Sequence, residues 1–168
     1  MKTPITSLLL LIVLWMSCCA SDSNESIQDE TQEMEDSTET LQGVASVTDL
    51  AVSGEENQYS FNVTIASDDL GCQQYADWWE VIDTNGKLLY RRVLAHSHVN
   101  EQPFTRSGGP IALDQNTEVY VRAHMNTTGY GENAFKGSVK NGFTAFNLDI
   151  GFAAEVLNEA PLPNGCAF

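Results

Sequence analysis

Tyr59-Ser60-Phe61-Asn62-Val63-Thr64-Ile65-Ala66 alternates bulky apolar residues with small or polar ones. This is the period of two that sends successive side chains to opposite faces of a strand. One face is buried, the other wet. Residues 44–52 read as a preceding edge strand, with Gly54-Glu55-Glu56-Asn57 as the turn. Residues 78–83 and 87–94 flank Thr84-Asn85-Gly86, and Asn-Gly between β-type runs is the strongest short hairpin signal. In 118–125, Val119, Val121, Ala123 and Met125 share one face, and Tyr120, Arg122 and His124 the other. Residues 143–152 supply the last strand, followed by the proline-bearing tail Ala160-Pro161-Leu162-Pro163. No window sustains a helical period. About seven strands in roughly 125 residues predict an all-β domain, an immunoglobulin-like or fibronectin-like β-sandwich, with a small closed barrel as the alternative.

The full chain has 168 residues, with 23 acidic against 8 basic residues and a net charge of -15. A chain-wide basic surface for nucleic acid or anionic lipid headgroups cannot be built from this composition. Lys2 followed by the apolar run 8–16 suits an export signal and is too short to span a membrane. Leu14-Trp15-Met16-Ser17-Cys18-Cys19 resembles a bacterial lipobox, in which Cys18 becomes the lipidated first residue; Trp15 stands where such boxes carry leucine, and cleavage after Ala20 is the alternative. Residues 21–42 hold eight acidic residues and no basic one, with almost nothing apolar. Such a segment reads as a disordered acidic tether. The expected organisation is therefore an export signal over 1–18, a tether over 19–42 and a β-sandwich over 43–168. The protein is expected in the cell envelope, facing the periplasm or held at the outer membrane by its lipid, or secreted.

Cys18 and Cys19 lie at the signal boundary, which leaves Cys72 and Cys166 in an exported domain. They are expected to pair. The alternative, two thiolate metal ligands, is weaker because neither has a close Cys or His neighbour.

His96-Ser97-His98 follows the strand ending at Leu94, and His124 is the only other histidine. On an extended segment, residues at i and i+2 point to one face, so His96, His98 and His124 are candidate ligands for Zn(II) or Cu(II), completed by water, Glu101 or Asp77. A cuprous site using Met125 would need a bulge to turn that side chain over. Against the metal reading stands a structural network of Arg106, Glu101 and the imidazoles. Tyr75-Ala76-Asp77-Trp78-Trp79 offers another site: Trp78 and Trp79 face opposite ways, and whichever is exposed, Trp79 or Trp78, could stack with Tyr75 on a glycan or a protein partner, on a face around Tyr75, Trp79 and Arg106. Catalysis has little support. Ser97 points away from both neighbouring histidines, Ser107-Gly108-Gly109-Pro110 reads as a turn, and Gly129-Tyr130-Gly131 is too short for a phosphate loop. The expected protein is not an enzyme.

The string His96-Ser97-His98-Val99-Asn100-Glu101-Gln102-Pro103-Phe104-Thr105-Arg106-Ser107 resembles the fingerprint of an uncharacterised family of exported bacterial proteins. That family also carries a Tyr-Ala-Asp-x-Trp segment, here Tyr75 to Trp79, and a Gly-aromatic-Gly, here Gly129 to Gly131. The resemblance implies that 96–107 is the functional or architectural centre. Relatives often have histidine immediately before the Gly-aromatic-Gly, where this chain has Thr128.

Overall fold

The computed structural model describes residues 43–167. The expected export signal, Cys18 and the tether lie outside the described residues. Nine strands form two sheets: β1 (Ala45–Glu55), β2 (Gln58–Ser67), β3 (Ala76–Asp83), β4 (Leu88–Val93), β5 (Phe104–Ile111), β6 (Val119–Met125), β7 (Gly129–Tyr130), β8 (Asn133–Ser138) and β9 (Gly142–Asn147). One sheet runs β1-β2-β5 and the other β4-β3-β6-β8-β9, with β7 paired to β6. The two pack as a β-sandwich, as the alternation predicts, with more strands than the seven expected. Among the described residues no helix is long and apolar enough to cross a membrane.

The core follows from the alternation. Tyr59, Phe61, Val63 and Ile65 of β2 face Val119, Val121, Ala123 and Met125 of β6 across one apolar cluster. The hairpin at Thr84-Asn85-Gly86 forms where expected, with Asp83 accepting the amides of Asn85 and Lys87 through Oδ1 at 2.8 and 2.9 Å.

Ser107-Gly108-Gly109-Pro110 is not a turn. It lies within β5, where Gly108 pairs with Phe61. The glycine is demanded by packing: a Cβ there would come within 2.7 Å of the Trp79 ring and 2.8 Å of Tyr90. A strand glycine of this kind marks close approach of another group.

Strand β3 is buried on both faces, from Ala76 through Ile82. Trp79 and Val81 enter the main core, while Ile82 packs with Ala134, Leu148, Ala153 and Val156 on the opposite side. That second layer comes from the C-terminal segment. The last strand ends at Asn147 rather than at 152, because Asp149 accepts the Gly151 amide at 2.7 Å and turns the chain into a 3-10 helix, Ala154–Asn158.

Beneath this segment Glu80 is wholly buried between two arginines. Its Oε2 accepts Nε and Nη2 of Arg91 at 2.8 and 2.6 Å, and its Oε1 accepts Nε of Arg122 at 2.8 Å. The remaining guanidinium N–H groups donate to backbone carbonyls of the C-terminal segment: Arg91 to Val156 and Glu159, Arg122 to Phe152 and Ala153. A buried carboxylate and two guanidiniums are tolerated only when their hydrogen-bonding capacity is met in this way. The segment ends at the Cys72–Cys166 disulfide, Cα atoms 5.5 Å apart, which forms as expected.

Candidate functional site

The site is a loop, residues 95–103, between β4 and β5. Its shape is set by Asp69, a buried carboxylate just past β2. Oδ1 accepts Ser67 Oγ at 2.7 Å and the Ala76 amide at 2.9 Å; Oδ2 accepts the His98 amide at 2.7 Å and Ser97 Oγ at 3.2 Å. The Glu101 amide donates to the His98 carbonyl at 3.1 Å, so the segment turns instead of extending. The turn keeps the two imidazoles in contact but tilts one ring against the other, 38° from parallel. His98 folds inward, 3% exposed, while His96 stays in solvent with its ring centroid 4.5 Å away.

His98 stacks on Phe104 with ring centroids 3.7 Å apart. Neither of its ring nitrogens has a hydrogen-bond partner among the described residues. Asp69 Oδ2 lies 3.9 Å from Nδ1, beyond hydrogen-bond range. Burial, helped by the Arg106 charge, holds the His98 pKa below its ordinary value. That burial favours the uncharged ring, whose two nitrogens are enclosed and without partners. Single buried orphans occur elsewhere, on Trp78, Trp79 and Tyr130, but His98 has two and borders an open cleft.

That cleft, about 430 Å³, is walled by Leu70 and Gly71 on one side and by His96, His98, Val99 and Glu101 on the other. Leu70 and Val99 are 73% and 47% exposed at its rim. Glu101 is paired with Arg106 at 2.8 Å, and that hydrogen bond holds its carboxyl below the usual range. The expected Arg106–Glu101 contact thus exists, at the exposed lip. The C-terminus secures both walls: Cys72 follows Gly71 directly, and the Ala167 amide donates to the Ala95 carbonyl at 2.6 Å.

The three-histidine cluster and the exposed aromatic face need correction, whereas Met125 and Ser97 lie as expected. His124 does not join the other histidines: it stacks on Trp78 with centroids 3.6 Å apart, and its Nδ1 sits 2.6 Å from Asp77 Oδ1. Asp77 is thereby the partner of His124. Among the described residues no group of three or more His, Cys, Asp or Glu side chains is gathered so as to hold a metal ion. Met125 stays in the core; the irregularity in the β3–β6 pairing, between Ala76 and Trp78, does not turn it outward. Tyr75 and Trp79 form no exposed aromatic face, being 4% and 0% exposed, because β3 is covered on both sides. Ser97 Oγ is engaged by Asp69 and by the Gly71 amide, away from any imidazole.

Sequence reasoning missed Asp69 and the Glu80-Arg91-Arg122 network. The network left a trace, since Glu80 and Arg122 are charged residues amid apolar strands. Asp69 left none.

The fold and cleft define a β-sandwich with a histidine-lined pocket at one edge. Among curated proteins the chain is similar to a "Putative lipoprotein" of Halomicrobium mukohataei, 43% identical over 84 residues, covering 50% of this chain and 41% of that protein. The chain thus spans about two fifths of that relative's length. No protein-family model matches, and no solved structure matches.

Proposed function

We propose that this chain is an exported lipoprotein of the cell envelope, anchored through Cys18 and carried on its acidic tether, whose sandwich binds a transition-metal ion, Zn or Cu, through His96 and His98. It acts by binding and not by catalysis. The observation that carries this reading is the His98 ring: enclosed, both nitrogens without partners among the described residues, and in contact with an exposed second imidazole. Leaving such a group unpaired costs on the order of 1–3 kcal/mol, a cost that a bound ion would recover. The lipid anchor is supported by the lipobox-like Ser17-Cys18 and by the description of the relative from Halomicrobium mukohataei.

Calorimetric titration of the processed chain with each ion tests this. One-to-one binding, weakened in His96→Ala, is expected; absence of binding to either metal would remove the reading.

A second reading rests on Leu70 and Val99. Two exposed apolar side chains flank the same cleft, which suits the apolar side chain of a protein partner. Under it, replacing Val99 by Asp abolishes partner binding and leaves metal affinity unchanged.

A further inference from the structure

We infer that β9 is an interface: it pairs antiparallel with β9 of a second copy about Ala145, joining two sandwiches through one continuous sheet. Among the described residues each sheet ends in two edge strands, β1 and β5 in one and β4 and β9 in the other. An open edge offers unpaired backbone N–H and C=O groups, and proteins blunt such edges with charge, proline or bulges. Three of the four are blunted. β1 carries Asp49, Glu55 and a bulge between Val47 and Asp49; β4 carries Arg91 and Arg92; β5 carries Arg106 and Pro110. β9, Gly142-Phe143-Thr144-Ala145-Phe146-Asn147, has no such device. Its six residues pair with β8 without a register shift, and all but Phe143 are exposed.

Charge and register name the occupant. With a net charge of -15, two copies repel over most of their surfaces. Residues 133–148 contain no Asp or Glu, and Lys136 beside β9 is neutralised by Glu118 at 2.9 Å. Antiparallel pairing also sets the end of β9 that bears Lys140 beside the second copy's other end, which bears Asp149. Thr144 and Phe146 share one face of the strand, so pairing about Ala145 places each Thr144 opposite the second copy's Phe146. An aromatic against a β-branched residue is a favourable cross-strand pair, and a two-fold axis supplies it twice. The histidine cleft follows β4, at the opposite edge of this sheet, so the pairing leaves it open and does not depend on the metal reading.

The test is sedimentation equilibrium of the full chain in excess density-matched detergent, for the wild type, Ala145→Glu, Ala145→Lys and an equal mixture of the two variants. Ala145 is exposed, so neither charge enters the core, and circular dichroism checks the fold. Six paired residues make a small interface, below about 1,200 Å², so the wild type should pass from monomer to dimer as concentration rises. Each variant alone sets like charges face to face and should associate more than about tenfold more weakly, while the mixture, setting Glu against Lys, should recover the dimer. Ala145→Cys should form a copy-to-copy disulfide on air oxidation, because opposed strand positions lie within disulfide reach. Ser53→Cys, exposed on β1, should not cross-link beyond the wild-type level. A wild type that stays monomeric throughout would overturn the proposal, and so would a dimer indifferent to both charges. Equal cross-linking at 53 and 145 would place the contact elsewhere and overturn it too.

Discussion

His98 lies flat on Phe104, ring centroids 3.7 Å apart and planes 12° from parallel. Phe104 is itself 2% exposed and belongs to the main core. The floor of the candidate site is therefore continuous with the packing that holds the sandwich together. Phe104→Ala should cost about 3–5 kcal/mol, the range for deleting a buried aromatic ring. Urea denaturation measures this, and a loss below about 1 kcal/mol would show that the ring is not packed as described.

The neutral, enclosed His98 ring makes stability depend on pH. Its folded pKa lies below the ordinary 6.5, first through burial and then through Arg106. The unfolded chain therefore binds a proton that the folded one refuses. The contribution is fully present above about pH 6.5 and declines as pH falls from there to the lowered folded value. Denaturation midpoints at pH 7.5 and 5.5 should fall more steeply for the wild type than for His98→Phe. Equal slopes would contradict the burial of this ring.

Glu80 holds two arginines at once, with side-chain exposures near zero throughout the triad. Glu80→Gln removes the carboxylate that Arg91 and Arg122 share, leaving two buried cations facing an amide. A loss of about 3–5 kcal/mol is expected, as for breaking a buried pair from one side. Replacing all three residues by apolar ones of similar volume should be much milder, and the difference between the two variants is the diagnostic.

How much of this was legible in the sequence depends on how local the cause is. The faces of β6 follow from a period of two, and Thr84-Asn85-Gly86 dictates its own hairpin. The Cys72–Cys166 pair follows from counting cysteines in an exported domain. Trp79 and Tyr75 were misplaced because burial of both faces of β3 requires residues 148–166, which arrive from far along the chain and bear no pattern announcing where they dock. The same distance hides Asp69, whose four hydrogen bonds turn His98 inward while its ring stays against that of His96. Ser107-Gly108-Gly109-Pro110 has the composition of a turn, whereas Gly108 serves to make room for Trp79.

The C-terminal segment should depend on its covalent tie. Its side chains are largely exposed, and it is held by Ala153, Val156, the two arginines and the disulfide. Cys166→Ser should cost about 2–5 kcal/mol. Amide exchange should accelerate over 148–167, and over 95–98 through loss of the Ala167–Ala95 hydrogen bond. Unchanged exchange at 95–98 would show that the tail does not secure the cleft.

The central claim is that His98, with His96, is the ligand-bearing pair and His124 is not. Long-range nitrogen–proton NMR of the three imidazoles during titration with Zn(II), a diamagnetic ion, reads this directly. The ring nitrogens of His96 and His98 should shift together to a one-to-one end point, while His124, held between Asp77 and Trp78, stays where it is. Movement of His124 with His98 unmoved, or no movement in any ring, would contradict the account.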